Sequence, residues 1–140
     1  MKIYQSFAST ITKLLAGGQA VRITVSGYMP LSIETISPPG DGQHLIAIMH
    51  YSIQNGDLMR DPEMVFQYHA HGDTHYAEPI SYRNDYMGTN QEVYRYDESG
   101  KATHVNTRLK AELKSFTRTW FKNIKDQGFL SEEATRESLS

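Results

Sequence analysis

Cysteine is absent from the 140 residues, so neither a disulfide framework nor a thiolate metal site can form, and a reducing compartment is compatible. Long apolar runs are absent too. No stretch approaches the ~20 consecutive apolar residues needed to span a bilayer. The opening MKIYQSFASTITKLLAGG interrupts its apolar residues too often for a signal-peptide core. A soluble, cytoplasmic protein is expected. Glycine-rich nucleotide loops, Walker-type strings and a Ser-His-Asp series are all missing, so no motif names a reaction.

What is present fits an ordinary globular chain. Apolar residues make up a modest 39%, but one Trp, nine Tyr and five Phe supply bulk. The length predicts one domain that buries about two thirds of its unfolded surface. We expect that domain over residues 1–130, followed by a polar, frayed tail at 131–140. Net charge is −2 but unevenly spread. Residues 34–98 hold 11 acidic and three basic side chains, whereas residues 108–126 hold six basic and two acidic. The chain is dipolar.

The pattern is organised around residues 45–68, LIAIMHYSIQNGDLMRDPEMVFQY. Leu45, Ala47, Met49, Tyr51 and Ile53 alternate with Ile46, Ile48, His50 and Ser52, which predicts a central strand buried at least partly on both faces. Asn55-Gly56 is the strongest short hairpin signal, because both residues tolerate positive φ. Asp61-Pro62 predicts a second turn or a strand start, since proline lacks a ladder N–H. Met64, Phe66 and Tyr68 resume the alternation. Two antiparallel strands should therefore flank an acidic connection.

Around this centre, Ile3, Phe7, Ile11 and Leu14 mark an amphipathic helix that Gly17-Gly18 can stop. Val21, Ile23 and Val25 predict a half-buried strand, and Leu31 and Ile33 a second. Pro38-Pro39-Gly40-Asp41-Gly42 predicts a loop. His69 to His75 reads as a connection between strands, 77–82 and 91–96 as strands, and 84–90 as a loop. At the end, Asn106 or Thr107 can cap a helix. Leu109, Leu113, Phe116, Trp120 and Ile124 share an arc of roughly 80° on it. Gly128 can end it, with Phe129 packing back. The fold class is α+β: an N-terminal helix, an antiparallel sheet of five or six strands, and a C-terminal amphipathic helix packed on the sheet.

The strings HYSIQNGDLMRDPEMVF, EPISYRNDYMGTNQEVY and LKSFTRTWFKNIKDQGF resemble a family of small uncharacterised bacterial proteins, a domain of unknown function. Its pattern falls on His50-Tyr51 and on residues 54–59, 61–64, 82–85, 91–94 and 116–129. That family is carried largely on plasmids, phages and integrated mobile elements. The resemblance implies no activity; it implies an accessory protein of mobile DNA in a bacterial cytoplasm.

Three surfaces merit chemistry. The first joins His50, Asn55, Asp57, Asp61 and Glu63 to Tyr82, Arg83, Asn84 and Asp85. If the two polar segments meet at one sheet edge, they form a patch that can bind a protein, a base or a nucleotide. The bland reading is that the acids make Asx turns, Arg83 pins neighbouring loops, and His50 is a satisfied sheet residue. The second is His69, His71, Asp73 and His75, spaced by two. On an extended backbone they would share a face and could ligate a transition metal, although Gly72 argues against a regular strand. With His50 and the acids, this run is the basis for a metal-dependent hydrolase as an alternative. The third is Lys110, Lys114, Arg118, Lys122 and Lys125, an arc of roughly 120° opposite the apolar face of the last helix. It could contact nucleic-acid phosphates, against the bland reading of a solvated face. A non-enzymatic domain that binds a protein partner and needs no cofactor is the reading the residues favour.

Overall fold

A computed structural model of the protein describes residues 2–37 and 43–139. The predicted loop at 38–42 lies outside the described residues. The chain begins with α1 (Lys2–Leu15) and continues into β1 (Ala20–Thr24), β2 (Leu31–Thr35), β3 (Gln43–Gln54), β4 (Asp57–His71), β5 (Thr74–Asn84) and β6 (Thr89–Glu92). A small hairpin follows, β7 (Tyr94–Tyr96) and β8 (Ala102–Val105), then α2 (Thr107–Asp126) and a last strand β9 (Thr135–Ser138). The main sheet has seven strands in the order β6-β5-β4-β3-β2-β1-β9, all paired antiparallel. Two more strands than the shorter expectation arise because local alternation is weak in Thr89–Glu92 and Thr135–Ser138.

Both helices pack on one face of the sheet. Val21, Ile23, Leu31, Ile33, Ile46, Ile48, Met64, Phe66 and Ala77 point into that layer and are buried, beneath Phe7, Ile11, Leu14, Leu113, Trp120 and Ile124. Period-two burial follows from the pleat. At α1 the spacing of Phe7, Ile11 and Leu14 builds the buried stripe as expected. At α2 the buried arc is wider than the periodicity implied. It takes in Thr117 and Phe121, while Phe116 sits partly exposed against Tyr82. The cause is α1, whose Phe7 meets Phe121 edge-on at 5.5 Å. A second helix beside the first makes a second buried flank.

The caps of α2 form as expected. The Asn106 side chain accepts the Leu109 N–H at 2.9 Å. Gly128 sits at φ +96°, its N–H bonds to Lys125 and that of Phe129 to Ile124, a six-to-one closure. Phe129 is fully buried.

Two expectations need correction. The tail does not fray throughout: Thr135–Ser138 pairs with β1, and Arg22 meets Glu137 at 3.1 Å. Asp61-Pro62 is no turn, since β4 runs unbroken through it. The β3–β4 register shifts between Met49 and Tyr51, so Asp61 and Pro62 together stand opposite His50. A bulge of two residues against one leaves a place for a proline without an N–H.

Candidate functional site

The hairpin turn itself is confined to Asn55 (φ +52°) and Gly56 (φ +84°), with Gln54 opposite Asp57. Two consecutive positive φ values are what a type I′ turn demands, and Asn-Gly accepts them at least cost. β2 accompanies β3 only as far as His50, and the β5–β4 ladder ends at Arg83 opposite Glu63. Among the described residues the hairpin therefore projects beyond its neighbours from about residue 52 to residue 59. Its cross-strand pair Ile53–Leu58 is exposed, Ile53 to 60%.

Beside it, the turn between β5 and β6 carries Tyr86 and Met87, the latter 74% exposed. Tyr86 reaches across β4, and its hydroxyl is hydrogen-bonded to that of Ser52. A polar network holds the two turns together. The Asp85 carboxylate accepts the Arg60 backbone N–H at 2.8 Å, the Arg60 guanidinium at 3.1 Å and Arg83 Nε at 3.1 Å. Arg60 also approaches Glu63 at 3.6 Å. Buried Asn84 donates its amide to Asp61 at 2.8 Å and accepts the N–H groups of Tyr86 and Met87. The Asp85 pKa is held below the ordinary carboxylate value, first by the Arg60 backbone hydrogen bond and then by the two arginine side chains.

Of the nine residues expected here, Asp61, Glu63, Arg83, Asn84 and Asp85 converge, but their polar groups are largely spent on one another. Asn55 and Asp57 sit at the projecting tip, where Asp57 is exposed. His50 and Tyr82 are corrections. His50 is buried on the helix side of the sheet, its Nδ1–H donating to the Met29 carbonyl at 3.2 Å, with Phe129 and Trp120 packed edge-on. Burial lowers its pKa, against backbone hydrogen bonds at Pro30 and Met29 and the charge of Asp61. Tyr82 packs edge-on against Phe116, so it offers no open stacking platform.

The histidine run is also corrected. Gly72-Asp73 is a two-residue turn, with His71 paired to Thr74, Ala70 to His75 and His69 to Tyr76. Partners across a ladder share a face and neighbours alternate, so His69 and His71 face away from His75. His69 stacks on Tyr76 at 4.4 Å, whereas His75 Nδ1 lies 2.7 Å from the Tyr68 hydroxyl. Among the described residues no group of three or more His, Cys, Asp or Glu is placed to hold a metal. Spacing by two promised one face only if the strand did not reverse inside the run.

The sequence comparisons bear on most of the chain. A family profile described as "Domain of unknown function (DUF6908)" matches residues 2–130. The chain belongs to that family. No curated protein and no solved structure matches it.

The stretch matched to DUF6908 contains the hairpin tip, both helices and a groove that sequence reasoning missed. This groove, about 690 Å³, lies on the sheet face away from the helices. Leu45, Val65 and Ile80 contribute apolar surface to it, and Tyr94 and Tyr96 of β7 contribute rings. Tyr94 is held in place by donating to Glu78 at 3.3 Å and accepting from Lys110 at 3.2 Å. Lys110 also lies 3.3 Å from Glu78, so it leaves the basic stripe of α2 and serves as a tether. The groove had no local signal: its walls come from segments some 50 residues apart in the chain. Among the described residues no helix is long and apolar enough to cross a membrane.

Proposed function

We propose that this protein is a non-enzymatic interaction domain that docks a protein partner through the β3–β4 hairpin tip and the adjoining β5–β6 turn. The single observation carrying this reading is that two neighbouring turns, joined by an ion-pair and hydrogen-bond network, leave four large apolar side chains exposed, Ile53 and Leu58 at the end of one hairpin and Tyr86 and Met87 on the other turn. Large apolar side chains left in water on adjoining turns are candidate contacts for a partner. The network supports this because a preorganised surface loses less entropy on binding. Each apolar side chain moved from water into a partner's pocket supplies up to about 1.5–3 kcal/mol.

The acidic side chain of Asp57 at the tip, and the excess of acids through residues 34–98, fit a partner whose apolar cleft has a basic rim. Nucleic-acid-processing proteins have such rims, and small acidic proteins that block them offer an analogy. The setting in bacterial mobile DNA rests on the resemblance of the segments named above and belongs to the proposal.

The test is affinity capture from the native host with the full chain, in parallel with Ile53→Thr combined with Leu58→Thr. Threonine suits strands and a Thr–Thr pair is tolerated across a ladder, so the melting temperature should nearly hold. A partner retained by the parent and lost by the variant supports the tip as the contact. Identical capture by both, or no protein captured by either, overturns it.

A further inference from the structure

We infer that the cleft between α1 and α2 is a second binding site, one that takes the phosphate backbone of a nucleic acid. The inference is independent of the hairpin tip. Charge separates by layer in this molecule. The two helices hold eight basic and two acidic side chains, and the rest of the chain holds six basic and 14 acidic. A net charge of −2 and a pI near 6.3 therefore conceal a strongly positive helix layer.

Ile3 shares a depression with Lys114 and Arg118, while Lys13 shares the cleft with Lys122 and Lys125, so the helices run side by side in the same sense. The cleft, about 390 Å³, is lined by four cations: Lys13, Arg118, Lys122 and Lys125. From α1 it also receives the hydroxyls of Ser6, Ser9 and Thr10. Among the described residues no carboxylate lines it. Lys114 continues the row past Arg118. Among the described residues Lys13, Lys114, Arg118 and Lys125 make no ion pair. Lys122 does, with Asp126, but both side chains are mostly in water, where such a pair counts for little.

A merely solvated face accounts for basic residues on the outside of α2. It does not account for their meeting Lys13 and three hydroxyls from another helix, with no carboxylate among the described lining residues. Like charges four residues apart on a helix repel, and an anion relieves that repulsion. Lys114, Arg118 and Lys122 follow one another at a rise of about 6 Å per four residues. That spacing suits successive phosphates along one strand, and the hydroxyls can donate to phosphate oxygens between them. A bilayer is disfavoured because, among the described residues, no exposed large apolar side chain borders the cleft. Phe116 lies roughly 160° around α2 from Arg118.

Fluorescence anisotropy of the full chain with a labelled single-stranded oligonucleotide and with a duplex tests the site. Four or so neutralised phosphates predict that affinity falls on the order of 50- to 150-fold between 50 and 200 mM salt. Arg118→Glu with Lys125→Glu should cost at least tenfold in affinity and flatten that slope. Arg95→Glu with Lys101→Glu, on the β7–β8 hairpin, should change neither. If the first variant loses its fold by circular dichroism, Arg118→Gln with Lys125→Gln takes its place. Absent binding at 50 mM salt, salt-independent binding, or equal loss in the control variant overturns the site. So does equal affinity for polyglutamate, or stronger binding to phosphatidylserine vesicles than to either oligonucleotide.

Discussion

Replacing Asp85 by alanine asks whether the projecting hairpin and the β5–β6 turn are one unit. The carboxylate accepts three hydrogen bonds, two from Arg60 and one from Arg83. The side chains of Asp85, Arg60 and Arg83 are 17%, 26% and 44% exposed. Water therefore screens the Arg83 contact, which adds little. The two Arg60 contacts are charge-assisted and better shielded, in the class worth about 1.5–3 kcal/mol each. Truncation lets water reach Arg60 in part, so the net loss should be about 1–3 kcal/mol. At roughly 3–4 °C per kcal/mol for a chain of this size, the melting temperature falls by about 3–12 °C. The pH dependence has a definite sign. The folded pKa of Asp85 lies below its unfolded value, chiefly through the Arg60 backbone hydrogen bond. Its contribution is thus complete above the ordinary aspartate pKa and disappears as pH falls through the folded one. Urea melts of parent and Asp85→Ala at pH 7, 5 and 3 should show a gap that narrows toward acid. Equal midpoints at pH 7, or a gap unchanged at pH 3, would refute the network.

Two further outcomes follow from the sheet. Burial lowers the His50 pKa, and those of His44 and His69 shift the same way. The unfolded chain therefore protonates first, and stability is full above the ordinary histidine pKa near 6.5 and lost as pH falls below it. An NMR titration in which the His50 ring charges at or above that value would contradict its burial. Deleting residues 135–140 removes β9 and bares the edge of β1. The cost should be about 1–2 kcal/mol with increased self-association by light scattering; an unchanged melt and an unchanged scattering profile would mean that β9 adds nothing.

Sequence alone determined the elements whose signals are local. The apolar spacing of α1 and the Asn106 and Gly128 caps of α2 depend on neighbours within one or two turns of helix. The Asn55-Gly56 reversal depends on two backbone dihedral pairs. The juxtaposition of Asp61 and Glu63 with Arg83, Asn84 and Asp85 was legible as well, because antiparallel neighbours bring strand ends to one edge. What the sequence could not decide is what long-range pairing decides. Thr135–Ser138 has no strand pattern of its own and becomes a strand because β1 offers an unpaired edge. His75 leaves the face of His69 because the chain reverses at Gly72-Asp73. Phe121 is buried because α1, more than 100 residues away in the chain, packs beside it. Whether His50 belonged to the edge patch or was a satisfied sheet residue was decided by the helix layer, which covers it. The same closure placed Lys13 opposite Arg118 and Lys125. Charges that read as the solvated side of one helix became the wall of a cleft, because only the packed structure sets two distant segments against each other.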